Sequence, residues 1–216
     1  MSDIAQRDAT IPSGDVRLPG ILALPPGARS IVVFAHGSGS SRFSPRNQEV
    51  AVALHERGLG TLLFDLLTGP EAKVDDRTRE HRFDIPLLGE RLVAATDWLG
   101  AQEATRALAV GYFGASTGAG SALVAAAARP AVRAVVSRGG RPDLAGDVLG
   151  QVEAPTLLIV GGRDTQVIEM NRSAQARLNG VAELVIVEGA THLFEEPGAM
   201  AEVTRLATAW FARYLG

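Results

Sequence analysis

The sequence predicts a three-layer α/β fold, in which a mostly parallel sheet carries helices on both of its faces. Short apolar runs of strand length alternate with longer helical stretches, a pattern typical of strands joined by helices. Hydrophobic residues make up 46% of the 216 residues, which is enough for a sizeable core. Because no linker and no insertion of cap size divides the chain, residues 1–216 are expected to form one α/β domain without a cap domain.

The predicted elements begin with a hairpin-like pair of strands, made by the segment before Ile11 and by residues 21–26. Strands then follow near residues 31, 61, 107, 132, 156 and 183, and helices near residues 47, 86, 117, 144, 168 and 198. The uninterrupted apolar run at 156–160 is typical of a parallel strand buried on both faces. Residues 68–84 are highly charged with both signs, which predicts an irregular stretch that is either solvated or a rim over a site.

A serine between two glycines lies where an apolar strand gives way to an apolar helix. Residues 108–113 have the pattern of a short buried strand, and residues 121–128 have that of a helix. Ser116 therefore lies on a tight bend, which crowds Gly114 and Gly118 so closely that neither could carry a side chain. The pattern predicts a nucleophile at Ser116, and the alternative is a glycine-rich loop with an incidental serine.

A serine nucleophile needs a histidine to take its proton, and the chain has four histidines. His192 follows a predicted strand on a loop that can reach over the carboxyl edge of the sheet, so it is the candidate base. His36 directly follows a strand and precedes a glycine, which favours a backbone role in the turn. His55 is expected on a solvated helix face, and His81 lies in a charged segment that is expected to be exposed or to border the site.

An aspartate or glutamate must orient the candidate histidine. Asp164 falls at the carboxyl end of a predicted buried strand and is the first choice. Asp143 is the rival, since it also follows a strand, and otherwise it caps the next helix. Asp65 is expected to cap or to brace a loop. Glu195 and Glu196 lie too close to the histidine in sequence, and the first turn of the last helix accounts for them.

The motifs around these residues resemble those of the α/β-hydrolase superfamily, which carries its serine, aspartate and histidine in this chain order. Residues 161–164 and 189–194 look like the acid and histidine loops of small, lidless dienelactone-hydrolase-like proteins, and residues 36–41 look like their oxyanion loop. The resemblance runs from about Ile31 to the C-terminus. Dienelactone hydrolases proper use a cysteine nucleophile, whereas this chain has no cysteine. The resemblance therefore implies an esterase-like activity with a serine nucleophile.

Backbone donors for an oxyanion are expected on both sides of the candidate nucleophile. The N–H of Thr117 follows the serine at a helix N-terminus and supplies one donor. Ser38 is the second candidate donor, because Gly37 and Gly39 let the backbone turn its N–H groups inward, and Gly39 is the fallback. A phosphate-binding loop is the alternative, but no Gly-Lys-Ser/Thr follows.

Composition excludes several classes of function. A formal charge of −3 and a pI of about 5.8 give no basis for binding nucleic acid or an anionic membrane. The lack of cysteine excludes disulfides and thiolate zinc sites, so neither a metal nor a cofactor is expected. Residues 1–10 are polar and do not resemble a signal peptide, which predicts a cytoplasmic protein.

The sequence thus predicts a serine hydrolase that cleaves a small-molecule ester, thioester or lactone through an acyl-enzyme. Ser116 attacks, His192 moves the proton, Asp164 holds the imidazole, and the N–H groups of Ser38 and Thr117 stabilise the oxyanion. The alternatives are a dienelactone-type lactone hydrolase, a peptidase or an acyltransferase that uses the same residues, and a binding module without turnover. The oligomeric state and the natural substrate stay open.

Overall fold

The structure is a computed structural model that describes residues 4–216 and contains an eight-stranded sheet with helices on both faces. Residues 1–3, the start of the polar stretch used to predict that a signal peptide is absent, lie outside the described residues. The strands are β1 (Ala5–Ser13), β2 (Val16–Leu24), β3 (Ser30–Ala35), β4 (Gly60–Phe64), β5 (Ala109–Ala115), β6 (Ala134–Arg138), β7 (Thr156–Gly161) and β8 (Ala182–Val187). The helices are α1 (Pro45–Glu56), α2 (Gly69–Thr78), α3 (Ile85–Ala101), α4 (Thr117–Ala128), α5 (Thr165–Gln175) and α6 (Ala199–Leu215).

The strand order in the sheet is β1-β2-β4-β3-β5-β6-β7-β8. β1 and β2 form an antiparallel hairpin, and β2 is antiparallel to β4, while every neighbouring pair from β4 to β8 is parallel. The predicted fold class and the predicted N-terminal hairpin are therefore confirmed. Because the parallel strands run the same way, their carboxyl ends meet at one edge, where α/β sheets bind ligands.

Alternate side chains of the central strands enter two separate cores, one on each face of the sheet. Val33 packs in the core that contains Leu92 of α3, whereas its neighbour Val32 packs in the core that contains Leu54 of α1 and Phe211 of α6. Every residue of β3 and of β7 is buried, as expected for parallel strands covered on both faces. Across residues 4–216, no helix combines the length and the apolar character that a bilayer-spanning helix requires.

Residues 68–84 were predicted to be an irregular stretch, but the structure has a helix, α2, over Gly69–Thr78. The Thr68 side chain accepts the N–H of Glu71, and the Glu71 carboxylate accepts the N–H of Thr68 over 2.7 Å. This reciprocal capping box and a proline in the first turn start the helix despite its high charge. The prediction of an irregular stretch relied on the high charge of residues 68–84 and did not use the Thr-x-x-Glu pattern, which is typical of a capping box.

The helix expected near residue 144 is a 3₁₀ segment over Pro142–Gln151, interrupted at Gly146, which has a φ of 59°. The segment packs against α4, where a Cβ on Gly120 would lie 3.0 Å from the Arg141 carbonyl oxygen and 3.1 Å from the Leu144 Cβ. This segment therefore begins earlier than expected and is not one regular helix.

Candidate active site

Ser116 lies between β5 and α4 with a φ of 51°, a region that L-residues rarely adopt. Its N–H donates to the Arg138 carbonyl oxygen over 3.1 Å. A Cβ on Gly118 would collide with the carbonyl oxygens of Ala35 and His36, and one on Gly114 would lie 2.5 Å from the Cα of Ala119. Both flanking glycines are therefore required by close approach of backbone, as the sequence predicted.

The structure brings Ser116, His192 and Asp164 into one hydrogen-bonded line. His192 Nδ1 lies 2.6 Å from Asp164 Oδ2, and His192 Nε2 lies 3.3 Å from Ser116 Oγ. In the tautomer that donates Nδ1–H to the carboxylate, the serine hydroxyl donates to Nε2. A hydroxyl held in this way can pass its proton to the imidazole when it attacks an electrophile.

The loop that carries His192 is anchored on both sides of the imidazole. The Glu196 carboxylate accepts the N–H of Thr191 over 3.0 Å, and this hydrogen bond lowers the pKa of Glu196. Phe194 is 1% exposed and fills the core beneath the loop. Glu195 and Glu196 lie before α6 and not in its first turn, because Pro197 and Gly198 delay the start of that helix to Ala199.

Asp143, the rival candidate, and Asp65, which was expected to cap or to brace a loop, have other partners. Asp143 accepts two hydrogen bonds from the guanidinium of Arg141, over 2.8 and 2.7 Å. Asp65 accepts the backbone N–H of Arg42 over 2.7 Å and also pairs with its guanidinium. Asp65 thus braces the loop after β3, as one of its two predicted roles required, while only Asp164 contacts the imidazole of His192.

The predicted oxyanion donors lie next to Ser116. A Cβ on Gly37 would be 3.2 Å from the Ser116 Cβ, and the hydroxyls of Ser38 and Thr117 lie 2.9 Å apart. Within residues 4–216, the N–H groups of Ser38, Gly39 and Thr117 donate to no protein acceptor. Free N–H groups beside a nucleophile are the groups that can bind a developing oxyanion.

His36 and His55 hold local structure together. His36 is buried, its Nδ1–H donates to the Gly37 carbonyl oxygen, and its Nε2 accepts the N–H of Leu66 over 3.0 Å. Burial lowers the pKa of His36, so the neutral form that makes both contacts is favoured. His55 was expected to be solvated, but it is half-buried, and its Nε2 lies 2.7 Å from the Thr61 hydroxyl.

A cavity of about 240 Å³ opens beside Ser38 and Thr117. We call it the α2 cavity, because α2 and the residues after it form its far wall. The wall residues from this segment are Gly69, Ala72, Asp75, Asp76 and Arg82. Neither Ser116 nor His192 lines the cavity. Residues 68–84 therefore form a rim beside the site, which was one of the two predictions for them.

One ion pair attaches α2 to α3, and a second attaches α2 to the loop that follows it. The Glu71 carboxylate pairs with the guanidinium of Arg91, and this contact lowers the pKa of Glu71 to about 2. Burial works to raise the pKa of Asp75, but hydrogen bonds from Arg82 and from the N–H of His81 outweigh it and lower that pKa. The first turn of α2 is therefore fixed to α3, and the later part of α2 is fixed to the loop that follows it.

Comparison with known proteins gives a consistent family. The family model described as an alpha/beta hydrolase domain matches residues 28–208. A crystal structure of a dienelactone hydrolase from Anabaena variabilis is 57% identical, with 99% of each chain covered and a TM-score of 0.96. Est1E from Butyrivibrio proteoclasticus, at 16% identity, covers 95% of this chain and 98% of its own with a TM-score of 0.79, so it shares the fold.

Two curated relatives come from two strains of Mycobacterium tuberculosis. Each carries the provisional name phosphoribosyl transferase and is 58% identical over 213 residues. The match covers 98% of this chain and 47% of each relative. The chain therefore spans about half the length of the curated relatives that it matches.

Proposed function

The chain belongs to the α/β-hydrolase family, and from that premise we propose that it is a serine hydrolase that cleaves small carboxylic esters, thioesters or lactones through an acyl-enzyme. The observation that carries the proposal is the Ser116–His192–Asp164 line, with distances of 3.3 and 2.6 Å, beside free backbone N–H groups. These are the parts that acyl transfer to a serine requires.

In the proposed reaction, Ser116 Oγ attacks the carbonyl carbon while His192 Nε2 takes the hydroxyl proton. The carbonyl oxygen becomes an oxyanion, which accepts hydrogen bonds from the N–H groups of Ser38 and Thr117. The bond to the leaving group then breaks, and His192 Nε2–H protonates the departing oxygen or sulfur. Water, deprotonated by the same imidazole, attacks the acyl carbon. The bond between that carbon and Ser116 Oγ then breaks, His192 Nε2–H returns its proton to Oγ, and the acid leaves. Asp164 holds the Nδ1–H throughout and stabilises the imidazolium.

The position of His192 assigns the two halves of the substrate to two sides of the site. Because the imidazole must protonate the leaving group, that group lies on the His192 side. The α2 cavity has the two candidate oxyanion donors, Ser38 and Thr117, in its wall and lacks both Ser116 and His192, so we expect it to take the part of the acyl group that extends away from the imidazole. Its volume of about 240 Å³ favours a short acyl chain.

Lactones are supported by the Anabaena variabilis relative, which is called a dienelactone hydrolase. A peptidase, an acyltransferase and a binding module without turnover remain alternatives on the same site. Parallel incubations with an ester, a lactone, a thioester, an amide and an ester plus an alcohol acceptor separate the reaction classes. Phosphoribosyl transfer, the activity named for the longer mycobacterial relatives, is assayed in the same panel.

Replacement of the nucleophile tests the proposal directly. We expect Ser116→Ala to lose about three to six orders of magnitude in kcat on p-nitrophenyl acetate, because no other group takes the acyl chain. A fluorophosphonate should label Ser116 in the wild-type protein and nothing in the variant, as read by mass spectrometry. Circular dichroism and thermal unfolding serve as controls that the variant is folded. Activity above a few per cent of wild type would contradict the proposal.

A further inference from the structure

A buried arginine beside the candidate site has no matching carboxylate. Arg138, the last residue of β6, is 7% exposed. Its Nε is buried without a hydrogen-bond partner, and no Asp or Glu of the described chain forms an ion pair with it. Its guanidinium carbon lies 5.9 Å from the centre of the Phe194 ring, a contact that does not replace an anion. Buried charges in proteins are usually paired with an opposite charge, so the unpaired guanidinium of Arg138 indicates a site for an anionic ligand.

A second guanidinium lies beside the same loop, because the guanidinium carbon of Arg138 lies 5.9 Å from the Phe194 ring and Nη1 of Arg46 lies 3.4 Å from Oε1 of Glu195, the next residue. Burial and the nearby charge of Arg46 lower the pKa of Arg138 to about 10. Arg46, in the first turn of α1, also has a buried Nε without a partner. Its only carboxylate contact within residues 4–216 is Glu195, at 3.4 Å and 66% exposed, which screens its charge weakly. Two guanidinium groups beside consecutive residues of the loop that carries His192 therefore have little neutralisation.

The pair lies on the His192 side of the site. A Cβ on Gly139, the residue after Arg138, would be 3.1 Å from the carbonyl oxygen of His192 and 3.6 Å from its Cε1. In the sheet Arg138 pairs with Ala115, which directly precedes the candidate nucleophile. The two guanidinium groups lie beside Phe194 and Glu195, which follow His192 by two and three residues, and the leaving group of the proposed reaction lies on this same side.

We propose that Arg138 and Arg46 form a subsite for a phosphate monoester on the leaving-group half of the substrate. The inference rests on the proposed function for the identity of that half, but the anion site itself does not. A phosphate monoester carries close to two negative charges at neutral pH and matches two guanidinium groups, whereas a carboxylate carries one. The substrate class is then the acyl ester of a phosphorylated alcohol.

Three acetyl esters with the same acyl group test the preference: 4-acetoxyphenyl phosphate, 4-acetoxybenzoate and 4-acetoxybenzamide. Each kcat/KM is divided by the rate of hydroxide hydrolysis of the same ester, which removes the difference in leaving-group reactivity. We expect the phosphate to exceed the neutral amide by about tenfold or more, with the carboxylate between them, because charge-assisted pairs contribute that much. A phosphate no better than the amide, or no better than the carboxylate, overturns the inference.

Variants then assign the effect to the arginines. Arg138→Met and Arg46→Met should each lower the phosphate-to-amide ratio about tenfold. Arg172→Met removes an arginine that is 61% exposed on α5 and should leave the ratio unchanged. Since methionine replaces an unpaired buried cation, we expect Arg138→Met to keep the Tm of the wild type. An unchanged ratio in a folded variant overturns the inference, and Arg46→Met decides it if Arg138→Met does not fold.

Binding without turnover separates this inference from the proposed function. Calorimetry of phenyl phosphate with Ser116→Ala should show saturable binding that the added Arg138→Met substitution weakens about tenfold or more. Binding in a protein whose wild type hydrolyses no ester would leave the anion subsite standing and overturn the proposed function. Ester hydrolysis without phenyl phosphate binding would overturn the subsite alone.

Discussion

At the scale of single residues, the candidate site depends on which carboxylate meets His192. Asp164 and Asp143 both follow parallel strands, and both lie between Ser116 and His192 in the sequence. Only the Asp164 carboxylate hydrogen-bonds to the imidazole, while the Asp143 carboxylate is occupied by Arg141. The two aspartates should therefore differ sharply in their effect on rate.

Amide substitution of the two aspartates measures that difference. We expect Asp164→Asn to lose about two to four orders of magnitude in kcat, because an amide no longer holds the required tautomer or stabilises the imidazolium. Asp143→Asn, as the matched control, should change kcat no more than about a few fold, since it disturbs only a half-exposed ion pair. Steady-state kinetics on p-nitrophenyl acetate gives both values. The opposite ranking would transfer the orienting role to Asp143.

At the scale of elements, α2 matters because it is a short, charged helix that forms a wall of the α2 cavity. Few apolar side chains tie it to the core, so its attachment to α3 depends on the Glu71–Arg91 ion pair, while the Asp75–Arg82 pair joins it to its own following loop. Arg91 is 3% exposed at its side chain and also donates to the Leu66 carbonyl oxygen. Loss of its partner would leave a buried charge uncompensated, which is destabilising.

The Glu71–Arg91 pair predicts a pH-dependent stability. The folded-state pKa of Glu71, about 2, lies below its ordinary value of 4.5, so its stabilisation is complete above about pH 5 and is lost as the pH falls toward 2. We expect Glu71→Gln to lower the free energy of unfolding by about 1–3 kcal/mol at pH 7 and by less at pH 3.5. Urea unfolding measures both, with Glu90→Gln on the exposed face of α3 as the control. A difference that does not shrink on acidification would contradict this account.

A bulky side chain on α2 should shorten the acyl chains that the enzyme accepts. Ala72 lines the α2 cavity, so Ala72→Phe should lower kcat/KM for p-nitrophenyl butyrate by about tenfold or more and affect acetate much less. Lys73→Phe adds the same ring to the neighbouring exposed position, outside the cavity wall, and should leave the butyrate-to-acetate ratio unchanged. An equal effect of both variants would show that the cavity does not hold the acyl chain.

At the scale of the whole molecule, the parallel sheet decides what the site can bind. The carboxyl ends of β3, β5 and β7 bring Ser38, Ser116 and Asp164 to one edge of the sheet, although these residues are far apart in the chain. Within residues 4–216, α2 and its following loop stand beside that edge, and no inserted cap domain covers it. An acyl chain longer than the α2 cavity therefore extends into water.

This openness predicts a limit on chain length. A buried methylene contributes about 0.8 kcal/mol, so a deep tunnel would raise kcat/KM about fourfold per carbon. We expect the gain to stop after about four carbons in a p-nitrophenyl ester series from acetate to palmitate. A kcat/KM that still rises beyond octanoate would require an apolar acyl site that the α2 cavity does not provide.

Patterns within one element or one turn were readable from the sequence. The period of apolar residues predicted the parallel strands, and the glycines around Ser116 predicted the bend, because both depend on local backbone geometry. The serine, aspartate and histidine candidates followed, since each ends a predictable strand or lies on the loop after one. The capping box at Thr68 was equally local, and charge in the segment obscured it.

What only the tertiary structure decided are the contacts between residues remote in sequence. Three features depend on which strands are neighbours in the sheet. They are the contact of His192 with Asp164 and not with Asp143, the hydrogen bond from the Leu66 N–H to His36, and the α2 cavity. The buried Arg138 gave no signal at all in the sequence, because an arginine at a strand end is usually solvated. Strand order and side-chain partners arise from long-range packing, and a local pattern of residue types does not encode them.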